Sequence, residues 1–155
     1  MKFSPLIPAL LALALSACAT PDKRDTRYEP GLQSYTDSDG GIRHEVRDET
    51  VAELWRKADL EMRKGQQENA LKYINMAIET TPEDPVLWSR GAELYLSVRE
   101  NGLAENYATK SNSFANRDSR TLMYRNWLII KHAREMRGDL LGARDAQENV
   151  LRYRP

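Results

Sequence analysis

Residues 85–111 read PVLWSRGAELYLSVRENGLAENYATKS, and their pattern predicts the architecture of the chain. Asp84 and Pro85 predict a helix start, because an Asp side chain caps free backbone N–H groups and Pro suits the first helical position. Apolar and small residues then recur three and four positions apart, at Trp88, Ala92, Tyr95 and Leu96. The break at residues 100–102 separates this stripe from a second one, at Leu103, Ala104, Tyr107, Ala108 and Ser111. The stretch therefore predicts two helices joined by a short turn.

Similar hairpins are predicted on both sides of this stretch. Upstream, Thr50 and Glu53 have the spacing of a capping box, and Gly65 separates the helix that they begin from a second helix. Downstream, Ser119 precedes a longer helix, and Gly138 marks the turn into the last one. No alternating strand pattern competes with these stripes, so the sequence predicts an all-α chain of six helices in three hairpins.

The three hairpins resemble the tetratricopeptide (TPR) repeat family, whose unit of 34 residues has Trp, small, aromatic, Gly and Pro residues at fixed positions. The matching residues are Ala58, Gly65, Ala70, Ala77 and Pro82 in residues 51–84; Trp88, Ala92, Tyr95, Ala104 and Ser111 in residues 85–118; and Trp127, Gly138, Ala143 and Pro155 in residues 124–155. Residues 119–123 are an insertion that is expected to lengthen the fifth helix, and Lys57, Glu61 and Lys131 depart from the pattern. The resemblance implies a short TPR-type α-solenoid over residues 51–155, whose last helix lacks the usual capping helix.

The resemblance also implies a partner-binding groove. The first helices of TPR hairpins line a concave surface that binds peptides or helices. On this sequence, the corresponding positions and one rim position, Arg90, predict a site formed by Trp55, Asp59, Met62, Arg90, Glu93, Leu96, Leu128, His132 and Met136. The alternative for Trp55, Leu96 and Leu128 is a place in the core. One TPR subclass holds a C-terminal carboxylate with Lys and Asn side chains, and Trp55, Asp59 and Ser89 do not reproduce that arrangement.

Composition narrows the function classes. The 155 residues include 23 basic and 23 acidic side chains, so a strongly basic nucleic-acid coat is excluded and nucleic acid is not an expected partner. A single Cys allows neither an internal disulfide nor a cysteine-based zinc site. His132 has the spacing of a helical pair with Glu135, and no phosphate-binding loop, His pair or nucleophile elbow is present in the sequence. We expect no enzymatic activity, no metal and no cofactor other than a covalent lipid.

Charge is uneven along the predicted array. Residues 117–155 carry nine basic and five acidic side chains, whereas residues 51–116 carry eight and ten. The third hairpin is therefore a basic end. It either offers a patch to anionic lipid, glycan or protein, or is an ordinary solvated face with pairs four residues apart.

The first eighteen residues predict an export signal and a lipid anchor. Residues 6–15 form an apolar run, too short to span a bilayer and suited to a signal peptide. Leu15, Ser16, Ala17 and Cys18 resemble the bacterial lipobox, which implies cleavage after residue 17 and acylation of Cys18. The alternative is a plain secretory signal with a chance cysteine. Since Ala19 rather than Asp follows, the enterobacterial sorting rule implies the periplasmic face of the outer membrane.

Residues 18–50 are predicted to be a flexible tether. After Cys18, residues 20–49 carry eight acidic and five basic side chains, with few apolar residues and no helical or strand period. Such a composition does not offset the entropy lost on ordering. The alternative is that Tyr28, Leu32, Tyr35 and Ile42 dock on the repeats.

The predicted function is that of an adaptor. An outer-membrane lipoprotein with a TPR array is expected to bind an envelope protein through a peptide or helix, in envelope assembly, secretion, pilus biogenesis, or peptidoglycan or protease regulation. The alternative is a structural lipoprotein that assembles with itself through the uncapped last hairpin. A binder of glycans or small ligands is a third possibility, disfavoured because three hairpins enclose little volume.

Overall fold

The structure, a computed structural model, describes residues 48–116 and 118–155. These residues form six α-helices and no strand, which confirms the all-α fold of three hairpins. The helices are α1 (Glu49–Arg63), α2 (Gln67–Thr80), α3 (Pro85–Ser97), α4 (Asn101–Phe114), α5 (Arg120–Met136) and α6 (Leu140–Tyr153). The predicted signal peptide, Cys18 and most of the predicted tether lie outside the described residues.

Asp side chains cap three of the six helices. Asp84 accepts a hydrogen bond from the backbone N–H of Val86, with Pro85 in the first turn, as the sequence predicts. Asp139 does the same for Gly142 at the start of α6. The capping box at Thr50 was wrong, because Asp48 is the cap of α1 and its carboxylate accepts from the N–H groups of Thr50 and Val51. The charged oxygen of Asp48 is the stronger acceptor for these free donors.

The first helix of every hairpin ends in the same left-handed turn. At Gly65 and Gly138 the φ angles are 74° and 78°, and the N–H groups of each glycine and of the next residue donate to carbonyls of the last helical turn. Arg99 has the equivalent conformation, with a φ of 65° and the same pair of backbone bonds, from Arg99 to Leu96 and from Glu100 to Tyr95. This arrangement is the Schellman motif, which normally uses Gly because a Cβ atom is strained at positive φ.

The core consists of two clusters of buried apolar side chains. One lies between α1, α2 and α3, and the other extends from α3 through α6. Tyr107 packs against both clusters, with its ring centroid 4.8 Å from that of Trp88 and 4.7 Å from that of Tyr95. The small residues that the repeat pattern places between helices are all buried, namely Ala58, Ala70, Ala92, Ala104 and Ala143.

Each helix packs against its neighbour in the chain, and α3 also contacts α5. Consecutive hairpins are therefore stacked side by side, with the first helices along one face. The longest helix is α5, with 17 residues, and it contains most of the inserted residues 119–123. Within residues 48–116 and 118–155, no helix has the length and apolar character that crossing a membrane requires.

Candidate partner-binding surface

The predicted groove residues lie on the first helices of the three hairpins. Side chains connect these helices: Arg90 of α3 reaches Asp59 of α1, and Arg125 of α5 reaches Glu93 of α3. Seven of the nine predicted residues are partly exposed, namely Trp55, Asp59, Met62, Glu93, Leu96, His132 and Met136. The other two, Arg90 and Leu128, are buried.

Arg90 is not a rim residue, and the prediction that it is exposed there was wrong. It is 2% exposed. Its Nη1 donates to Glu93 at 2.8 Å, its Nη2 lies 3.4 Å from Asp59, and its guanidinium carbon lies 5.6 Å from the centroid of the Trp55 ring. Because α1 reaches α3 through side chains, the long Arg90 side chain fills the space between them and is removed from solvent.

Leu128 is part of the core, which was the alternative for this residue. It is 4% exposed and belongs to the cluster that includes Ala92 and Ala108. The direct contact of α5 with α3 buries the side of α5 on which Leu128 lies. Leu96, also proposed for the core, is partly exposed and packs against the edge of the same cluster.

Arg125 is the largest fully buried side chain of the described residues, and it is not among the nine residues predicted for the site. Arg125 Nη2 and Arg90 Nη1 both donate to Oε2 of Glu93. The spacing in the sequence could have predicted this contact, because Arg125 lies 32 residues after Glu93, which is close to one repeat length. The repeat pattern alone does not show that a cation at this position faces the carboxylate of the preceding hairpin.

Asp59, Arg90, Glu93 and Arg125 form what we call the inter-hairpin ionic cluster. Burial of Glu93 would by itself raise the pKa of its carboxyl, but the Arg125 and Arg90 guanidinium groups outweigh this effect and hold the pKa below its usual value. The two guanidinium groups and two carboxylates balance in charge. The cluster therefore neutralises itself and links three hairpins, rather than presenting excess charge to a ligand.

Four of the seven partly exposed residues predicted for this face are apolar. Around the ionic cluster, Trp55 and Met62 of α1, Leu96 of α3 and Met136 of α5 are partly exposed. Methionine and aromatic side chains adapt to varied apolar partners. His132 adds a polar group at the α5 end, with its Nδ1 atom 3.7 Å from a carboxylate oxygen of Glu135. The described residues contain no group of three or more His, Cys, Asp or Glu side chains arranged to hold a metal.

Much of the basic excess of the third hairpin is bound within the protein. Arg134 Nε donates to Glu105 at 2.8 Å and its Nη1 donates to the carbonyl of Gly142, so this one side chain joins α4, α5 and α6. Arg137 shares the Glu105 carboxylate. Arg120 donates to the backbone carbonyls of Arg152 and Arg154 at the end of α6. These contacts favour a structural role for the arginines over an anion-binding patch.

Solved structures share this arrangement of helices. The globular C-terminal domain of LpoP from P. aeruginosa matches with a TM-score of 0.63 and 27% sequence identity, covering 68% of this chain and 98% of that one. The second TPR of Spaghetti (RPAP3), bound to the HSP90 peptide SRMEEVD, matches with a TM-score of 0.59 and 19% identity, over 66% of this chain and 91% of that chain. The first TPR of Spaghetti, bound to the same peptide, gives 0.60 and 21%, over 71% and 85%.

At these identities, the likeness to the two Spaghetti domains concerns the fold. No protein-family model matches the sequence, and comparison with curated proteins gave no significant match. The similarity therefore lies in the fold: the three stacked helix hairpins match known TPR domains along most of the length of those domains. The described part of this chain has a TPR-type helical repeat fold.

Proposed function

We propose that this protein is a lipid-anchored adaptor of the bacterial envelope that binds a segment of another envelope protein on the face formed by α1, α3 and α5. The proposal rests on the partly exposed apolar side chains of these three helices. They lie beside the neutral inter-hairpin ionic cluster. Two of the structural neighbours are TPR domains bound to a peptide, which supports the use of this fold for peptide binding.

The expected ligand is a peptide or an amphipathic helix with large apolar side chains. Because Arg90 and Arg125 already bind Glu93 and Asp59, carboxylate recognition by these arginines would require breaking a buried ionic contact. Apolar contacts with Trp55, Met62, Leu96 and Met136 involve no such loss. Helix-in-groove binding uses anchors three, four and seven residues apart, which is the partner pattern that we propose.

Photo-crosslinking in cells tests this face. A photoreactive amino acid is placed at Met62 or Met136, and at the exposed Lys72 of α2 as the control on the opposite side of the first hairpin. The expected result is the same exported protein crosslinked from Met62 and Met136 and absent from the Lys72 reaction. Equal capture from all three positions, or capture of only a second copy of this chain, would contradict the adaptor proposal.

The envelope location rests on the N-terminal sequence. We propose that Cys18 carries the lipid and that Ala19 directs the protein to the outer membrane, with the repeats in the periplasm. Several acyl chains give stable anchoring, because each buried methylene contributes about 0.8 kcal/mol and one chain binds only marginally.

Replacement of the lipidated atom tests the anchor. The Cys18→Ser variant is expected to lose the acyl mass and to move from the detergent phase to the aqueous phase of a phase-separation assay. Ser38→Ala, outside the lipobox, is the control and should fractionate like the wild type. Membrane fractionation that is the same for Cys18→Ser and the wild type would contradict the proposed lipid anchor. It would not affect the proposed partner-binding face, which the crosslinking experiment tests separately.

A further inference from the structure

The outer face of α6 is the largest unpartnered apolar feature of the described residues. Leu140, Leu141 and Leu151 are 70%, 74% and 60% exposed, whereas the other exposed large apolar residues are spread over α1, α2 and α4. Within residues 48–116 and 118–155, nothing packs on this face. Exposed apolar side chains concentrated on one helix are typical of a contact surface.

The exposed residues of α6 have the spacing of a coiled-coil seam. Leu141, Arg144, Glu148 and Leu151 are separated by three, four and three positions, and all four are exposed. This is the a–d–a–d spacing that one helix presents to another. The seam has leucine at both ends and opposite charges in the middle, and neither Arg144 nor Glu148 has an ion-pair partner among the described residues.

The order of these residues makes a second copy of the same chain the expected partner of the α6 face. When two such helices pair antiparallel about a twofold axis level with residue 146, each position i lies level with position 292 − i of the other copy. Leu141 then meets Leu151 of the second copy, and Arg144 meets its Glu148. The ion pair and the leucine contact each form twice by symmetry, which makes the surface complementary to itself.

We infer that this protein forms an antiparallel, twofold homodimer through α6, with the Leu141, Arg144, Glu148 and Leu151 seam as its interface. One helix per subunit makes a small interface, so the association is concentration-dependent. The face formed by α1, α3 and α5 remains open in this dimer, because α6 contacts only α5 among the described helices. The dimer therefore does not depend on the adaptor function or on the lipid anchor.

Charge reversal tests both the interface and its register. Two copies of the full chain with different tags are expressed together, and their association is measured by co-purification after crosslinking. Arg144→Glu in both copies, or Glu148→Arg in both copies, places like charges at both central pairs and is expected to weaken association at least tenfold, an effect of about the size known for like-charge contacts. Asp145→Arg, on the same helix beside the seam, is the control and should leave association within about twofold.

The decisive arm combines the two defective variants. A copy with Arg144→Glu paired with a copy with Glu148→Arg restores opposite charges at both contacts, so association is expected to return to the wild-type level. In this mixture each copy has the same substitution that weakens association when both copies carry it. Recovery of association therefore cannot come from a change in the stability of either helix. Circular dichroism confirms that each variant is folded.

Three results would overturn the inference. Wild-type copies that do not associate would show that α6 does not form a homodimer. Association that survives both reversals would place the contact elsewhere. Failure of the mixed pair to recover, with both single variants defective and folded, would exclude the antiparallel register.

Discussion

Arg125 of α5 is completely buried and donates a hydrogen bond to the carboxylate of Glu93 on α3, which joins the second and third hairpins across 32 residues of sequence. Arg90 donates to the same carboxylate oxygen and extends the contact toward Asp59 of α1. A buried charge is tolerated only with compensating partners. Glu93 is the acceptor that two buried cations share.

Glu93→Gln is expected to destabilise the domain by about 3 kcal/mol, because it leaves two buried guanidinium groups without their shared negative charge. For a domain of this size the melting temperature should fall by about 10 °C or more. Glu135→Gln is the control, since Glu135 is 39% exposed and its loss should change stability by less than about 0.5 kcal/mol. Thermal unfolding of the three proteins at pH 7 measures the difference, and equal melting temperatures would show that the ionic cluster is not coupled to stability.

The stabilisation by Glu93 is expected to depend on pH. The pKa of Glu93 is lower in the folded protein than its unfolded value of about 4.3, so the unfolded chain binds more protons between these two values. Its contribution is therefore fully present above pH 4.3 and is lost as the pH falls through the folded pKa. Urea unfolding at several pH values should show the gap between wild type and Glu93→Gln narrowing below about pH 4. A gap that stays constant down to pH 2.5 would contradict the depressed pKa.

Arg99→Gly is expected to stabilise the protein by about 1 kcal/mol. Arg99 has a φ of 65° in the turn for which the other two hairpins use Gly, and a left-handed conformation costs about 1–2 kcal/mol for a residue with a Cβ atom. Arg99→Ala is the matched control, because it removes the same side chain but keeps the strain. Chemical denaturation should rank Arg99→Gly above both wild type and Arg99→Ala, and a Gly variant no more stable than the Ala variant would refute the strain.

Gly91→Ala is expected to destabilise the protein by about 1–2 kcal/mol, although Ala is the better helix former. A Cβ atom at Gly91 would lie 2.7 Å from Cδ1 of Tyr107, whose ring is confined between Trp88 and Tyr95. Gly102→Ala is the matched helical control, because the nearest atom to its Cβ is 3.9 Å away, on the flexible Arg137 side chain. It should stabilise by up to about 1 kcal/mol. A lower melting temperature for Gly91→Ala and a higher one for Gly102→Ala would support the close packing at Tyr107. Equal increases in melting temperature would show that Tyr107 moves aside.

Local interactions explain why so much of the fold is predictable from the sequence. Helix stripes, the Asp84 and Pro85 start, and the glycine ends at Gly65 and Gly138 depend on contacts within about four residues. Asp48 was missed because Thr50 and Glu53 offered a competing cap nearby. The left-handed turn at Arg99 was missed because an Arg residue does not by itself predict positive φ. Only the alignment of the repeats places Arg99 at the position of Gly65 and Gly138.

The six helices, most of their ends and their pairing into hairpins are predictable from the sequence, because these features follow from short-range hydrogen bonding and from apolar periodicity. Which polar residues on the first helices face water depends on how the hairpins pack against one another. Arg90 and Arg125 look like surface cations in a helical pattern, yet they are buried, because the stacking of hairpins brings carboxylates 31 and 32 residues away in sequence to their guanidinium groups. Burial of a charge depends on what packs beside it, and that packing is set by the approach of helices from different hairpins.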